Sequence, residues 1–285
     1  MSENMVVIVT GANRGIGLAI CELILKTNQN VKLYAASRAG ADLGLKSAGS
    51  GSIKYPQLDV TKDQDIKRLA EEVKNEDGHI DVLINNAGVN TYPEHSPESV
   101  KQMLDVNYRG TYNMCKAFIP LLSKTGRIVN MSSVGSQLKI YSQHNAARFR
   151  NTQSYEDVEK IAEDYMEAVK TKKELASGFG DKGQGYSVSK ACVNAITAVL
   201  ARENQDLTIN ACCPGWVDTD MGGIMGKPPK EPILFEWGGR CADQYLVDGA
   251  KIPVKLGFGD ISGTTGRYWA NPGISDKGDG QVMAW

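Results

Sequence analysis

The first apolar segment of the chain, Val6-Val7-Ile8-Val9-Thr10, enters a glycine-rich turn, and from Ile16 to Leu25 apolar residues recur at helical spacing. The alternation then repeats. Val31 to Ala36 and Ser52 to Leu58 are predicted strands, Lys62 to Lys74 is a charged amphipathic helix, and Val82-Leu83-Ile84 is a buried strand. Two apolar helices fit Val100 to Leu122, with a break near Gly110, before strands at Arg127 to Met131 and Leu207 to Cys212. Strands that are apolar on both faces need helices above and below them, as parallel strands have. The predicted fold is therefore α/β, a doubly wound parallel sheet in one domain spanning 1–285. Two stretches depart from the rhythm. Tyr141 to Gly185 is polar, holds a predicted helix from Tyr155 to Leu175 and leaves through four glycines, so it reads as an insertion. The tail, 222–285, is rich in proline and glycine and is expected to be mostly loop.

Composition narrows the function. Thirty-two basic and 33 acidic residues leave a net charge of −1, which offers no general field for nucleic acid or an anionic membrane. Any anionic ligand must be held locally. No apolar run approaches the ~18 residues of a membrane span, and the first residues lack the pattern of a secretory signal. The six cysteines show no C-x-x-C spacing, so reduced thiols and a cytosolic setting are expected; Cys213 reads as an inert buried thiol. His79, His95 and His144 are too scattered for a metal site.

Three patterns carry candidate chemistry. The turn Thr10-Gly11-Ala12-Asn13-Arg14-Gly15-Ile16-Gly17 lies between a strand and a helix, where glycines let a pyrophosphate approach free backbone N–H groups. The second strand ends at Ala36-Ser37-Arg38, with no carboxylate between Val31 and Arg38 to take ribose hydroxyls. Arg38 and Arg14 instead suit a clamp on a 2′-phosphate; the plainer alternative is two solvated surface arginines. Tyr186 and Lys190 lie four residues apart, on one face of a helix. A neighbouring ammonium is expected to lower the phenol from its ordinary value near 10, and a drop of about three units equals roughly 4 kcal/mol. Ser133 follows the strand ending at Met131 and is chosen over its rival Ser132 because it lies one residue further out.

Taken in order, the glycine turn, Asp59-Val60, Asn85-Asn86-Ala87-Gly88, Asn107, Ser133, Tyr186 with Lys190, and Pro214-Gly215-Trp216-Val217 resemble the motifs of the short-chain dehydrogenase/reductase family. The resemblance runs from about Met5 to Met221. It implies a Rossmann-type fold and a catalytic tetrad of Asn107, Ser133, Tyr186 and Lys190. For the cofactor it implies Gly11, Asn13, Arg14, Gly15, Ile16 and Gly17 at the phosphates, Asp59 and Val60 near the adenine, Asn86 and Gly88 along the cofactor, and Val217 and Thr219 near the nicotinamide. Cys212-Cys213-Pro214-Gly215-Trp216-Val217, Thr219-Asp220-Met221 and the 53 positions from Ser133 to Tyr186 resemble the monomeric carbonyl reductases of that family. This narrower likeness implies NADPH as cofactor, a small carbonyl substrate and a monomer, with the insertion lying across a face that oligomeric relatives use. Tyr141, Trp216 and Met221 are expected to line the substrate pocket. Two other readings remain: a cofactor-sensing protein without turnover, and an NAD-linked alcohol dehydrogenase.

Overall fold

A computed structural model describes residues 4–215, 217, 234–237, 240–273, 276 and 278–285. Its main sheet has eight strands in the order β10-β9-β6-β5-β4-β1-β2-β3. They are β1 (Met5–Thr10), β2 (Val31–Ala36), β3 (Ser52–Lys54), β4 (Ile80–Asn85), β5 (Leu122–Met131), β6 (Thr208–Cys212), β9 (Tyr268–Ala270) and β10 (Gln281–Met283). All neighbours pair in parallel except β10, which runs antiparallel on β9. A separate hairpin joins β7 (Leu234–Trp237) and β8 (Arg240–Asp243). The chain winds outward from β1 through β2 to β3 and then returns to β4 on the other side of β1. The crevice beyond the carboxyl ends of β1 and β4 is thus a topological switch point, where such sheets bind ligands.

Alternate residues of each strand feed two cores. Val6 and Ile8 join a core beneath α2 (Asp63–Glu76), α3 (Pro97–Met103), α4 (Gly110–Phe118) and α7 (Gly185–Glu203). Val7 and Val9 join the core under α1 (Gly15–Thr27) and α8 (Gln244–Phe258). Burial on both sides is why the strands read as unbroken apolar runs.

Four expectations change at this level. The strand expected over Ser52 to Leu58 ends at Lys54, because Pro56 has no N–H for a ladder; only a bridge between Ser37 and Gln57 continues the pairing. The break near Gly110 is absent. Helix runs from Pro97 to Phe118 through a π-helical turn at Leu104–Arg109, and Gly110 serves close packing instead, since a Cβ there would lie 2.8 Å from Val60 Cγ2. The insertion holds two helices, α5 (Gln143–Arg150) and α6 (Tyr155–Lys170), the second ending before Leu175. The tail carries α8, β9 and β10 as well as loops; Gly249, Pro253 and Gly257 inside α8 had masked its helical pattern.

Candidate active site

Tyr186 and Lys190 sit one turn apart at the start of α7, and the partly buried ring of Tyr186 lies 5.8 Å from Lys190 Nζ. Lys190 is buried and donates from Nζ to the carbonyl oxygen of Met131, at 2.7 Å, at the end of β5. Burial draws its ammonium down to about 8. Burial also pushes the Tyr186 phenol up to about 12; the Cys213 thiol adds to the rise and the neighbouring Ser133 hydroxyl opposes it. This reverses the expected lowering of Tyr186 by Lys190. The loss of water around the phenol is the largest cause of the rise.

The two serines part at the end of β5. Ser132 is buried and turns its Oγ to the carbonyl of Lys190, 3.2 Å away, which ties β5 to α7. Ser133 is only partly buried, accepts the Gly135 N–H at 3.1 Å through Oγ, and faces Tyr186. Beneath it is support that the sequence reading missed: Ser136 Oγ donates to Ser133 O at 2.6 Å, and Asn194 Nδ2 donates to Ser136 Oγ at 2.8 Å. Asn194 follows Lys190 by one helical turn, the only signal that pointed to it.

Asn107 lies fully buried in the π-helical turn. Its Oδ1 accepts the Val89 N–H at 2.7 Å, while its Nδ2 donates to Val89 O and to Ser189 Oγ, each at 2.9 Å. Ser189, also missed, donates in turn to Tyr186 O at 2.7 Å. A Cβ on Gly88 would stand 3.3 Å from Asn107 Oδ1 and 3.6 Å from Lys190 Nζ, so the bare glycine leaves a polar cradle between them.

The glycine turn closes the other side of the crevice. Gly11 and Gly15 have φ of +67° and +54°, and a Cβ on Gly17 would fall 2.2 Å from Gly11 O. Thr10 Oγ1 accepts the N–H groups of Asn86 and Ala87, each at 3.0 Å, and Asn86 Nδ2 donates back to Thr10 O and Gly11 O. Asn86 therefore pins the turn from the end of β4. Ala12 N donates to Ala36 O at 3.0 Å, which brings the turn beside the end of β2. Exposed Asn13 and Arg14 precede α1, with Ile16 in its first turn; Arg14 is the N-cap and makes no side-chain cap. Exposed Arg38 follows β2 by two residues. Asp59 accepts from Thr61 N and Oγ1 at 3.0 and 2.7 Å, beside buried Val60. The pattern has room for a dinucleotide: a turn open to pyrophosphate, exposed Arg14 and Arg38 beside it, and the Gly88 cradle between Asn107 and Lys190.

Not every expected residue belongs here. Tyr141 is buried within an aromatic cluster of the insertion, 5.4 Å from the Phe149 ring and 6.4 Å from that of Phe179, so it is core and not pocket wall. Val217 is buried; Trp216, Thr219 and Met221 lie outside the described residues. Among the described residues no His/Cys/Asp/Glu group could hold a metal, no helix is long and apolar enough to cross a membrane, and five free cysteines are buried.

The fold and this site define a class, and sequence comparison gives the same one: the chain belongs to the short chain dehydrogenase family, whose model matches residues 5–147. Among its relatives, carbonyl reductase (NADPH) 1 of Mus musculus is 34% identical over all of this chain and 99% of its own length. Carbonyl reductase (NADPH) 1 of Bos taurus is 31% identical, again over all of this chain and 99% of its own. Among solved structures, salutaridine reductase from Papaver somniferum superposes with a TM-score of 0.76 at 25% identity, covering 93% of this chain and 99% of that one.

Proposed function

We propose that this chain is an NADPH-dependent carbonyl reductase acting on aldehydes, ketones or quinones, with Tyr186 as the general acid. The observation that carries the reading is the placement of Tyr186 beside Ser133, with buried Lys190 Nζ 5.8 Å from the Tyr186 ring. NADPH, when bound, supplies the hydride for the carbonyl carbon. Tyr186 protonates the carbonyl oxygen, since a phenol whose hydroxyl stands beside Ser133 is a proton donor at neutral pH. Ser133, whose Oγ already accepts from Gly135, directs its hydroxyl hydrogen to the same oxygen. Lys190, near 8, exchanges protons close to neutrality and shares the Gly88 cradle with Asn107. Arg14 and Arg38 would hold the 2′-phosphate, Asp59 and Val60 the adenine, and Val217 the nicotinamide; the roles proposed for Thr219 at the nicotinamide and for Trp216 and Met221 at the substrate fall outside the described residues. The full-length relatives named as NADPH carbonyl reductases support the same activity.

The test follows NADPH oxidation across a panel of quinones, aldehydes and ketones with wild type and Tyr186→Phe. Expected is turnover by the wild type and loss of about two or more orders of magnitude in kcat with NADPH binding retained in the variant. A wild type that binds NADPH without turning over any panel member is a cofactor sensor instead. Wild-type kcat in Tyr186→Phe removes Tyr186 as the acid.

A further inference from the structure

The insertion touches the catalytic side of the molecule at two places that the chemistry above does not use. At the first, Arg109 closes the π-helical turn of Asn107 and forks onto Glu159 of α6: Nε lies 3.0 and 3.2 Å from the two carboxylate oxygens, and Nη2 also donates to Oε1. Nη1 of the same guanidinium donates to Asp105 Oδ1, at 2.7 Å, within the turn. Tyr155 of α6 donates to Glu159 Oε2 at 3.0 Å and stacks on Tyr112, with ring centroids 4.1 Å apart. At the second place, His95 Nε2 lies 2.9 Å from Oε1 of Glu174, a buried carboxylate just beyond α6. His95 ends the loop that begins at Val89, whose N–H and C=O are both bonded to the Asn107 amide.

Asn107 thus joins two strips of chain, 86–96 and 104–111, and the insertion grips the first at His95 and the second at Arg109, in the same turn as Asn107. A bidentate guanidinium–carboxylate fork fixes orientation as well as distance, and both clasps are partly or wholly shielded from water, where such pairs are screened least. We propose that the insertion is an internal brace for the catalytic centre, with Arg109, Glu159, His95 and Glu174 as positioning residues that hold Asn107 and the Gly88 cradle in register with α7. The proposal rests on the function given above, because Asn107 matters only if that site is catalytic.

Glu159→Gln and Glu174→Gln, alone and together, are compared with wild type for kcat and KM with a small aldehyde, for NADPH affinity by fluorescence, for melting temperature, and for hydrogen exchange over 86–96 and 104–111. Each single variant is expected to lower kcat about tenfold with NADPH affinity unchanged, as for catalytic groups displaced by a fraction of an ångström. Exchange in the strip that each clasp holds should rise about tenfold while β1 and β4 stay protected. Glu159→Asp, which keeps the charge, should recover part of the loss. Wild-type kcat in the variants overturns the brace, whether melting temperature or exchange changes or not; so does a fall in kcat with unaltered exchange. If Glu159→Gln fails to fold, Arg109→Lys keeps the charge, loses the fork and is judged by the same readings. A wild type inactive with NADPH and carbonyls defeats the function itself, and the exchange measurement then decides the brace alone.

Discussion

Replacing Lys190 with methionine should make the free protein no less stable at pH 7, and the difference from wild type should depend on pH in a defined direction. The folded protein holds the Lys190 ammonium near 8 instead of 10.5 because burial strips its water. That drop corresponds to about 3 kcal/mol at 1.36 kcal/mol per pH unit. The lysine is protonated in the unfolded chain at every pH below about 10, so between about 8 and 10.5 the unfolded state binds more protons and stability rises with pH. The penalty is present in full below 8 and is relieved as pH climbs through that window. Lys190→Met removes it, and also removes the Nζ bond to Met131 O, a charged-donor hydrogen bond of about 1.5–3 kcal/mol. At pH 7 the variant should therefore match wild type or exceed it by about 1 kcal/mol, although turnover is lost. Urea unfolding of both proteins without nucleotide at pH 7, 8.5 and 10.5 measures the difference. Wild type should gain about 3 kcal/mol on the variant across that range. A difference independent of pH would refute the desolvated lysine on which the reasoning stands.

Arg38→Asp should narrow or invert the preference for NADPH over NADH, which two solvent-weakened phosphate contacts place on the order of a hundredfold; kcat/KM for both cofactors measures it, and an unchanged ratio makes Arg38 a plain surface residue. Ser133→Ala should depress kcat strongly. Ser132→Ala, which loses only the bond to Lys190 O, should cost about 1 kcal/mol in stability with a milder kinetic effect, and the reverse order would move the catalytic role to Ser132. In solution the protein should be a monomer, because α6 of the insertion presents Glu156, Asp157, Lys160 and Glu163 to water; light scattering that returned a dimer or tetramer mass at micromolar concentration would count against it.

The sequence by itself determined the parallel sheet and the outline of the site. Short apolar runs bounded by turn residues fit strands covered on both faces, and a glycine turn after the first strand suits a phosphate loop, although such a turn by itself also serves packing. Tyr186 and Lys190 share a helix face by spacing alone. What depends on distant chain was decided by the tertiary structure. Whether Tyr186 is raised or lowered follows from how much water the surrounding elements remove, which no local spacing encodes. Tyr141 has the look of a pocket residue in sequence and becomes core because Phe149 and Phe179 fold around it. Gly110 looks like a break and is instead the point where Val60 meets the helix. The links from Asn107 to Val89 and Ser189, and from Arg109 to Glu159, span 18 to 82 residues of chain. Such pairs form only when the sheet brings their elements together, so a helical or strand periodicity, which registers neighbours within a few residues, carries no trace of them.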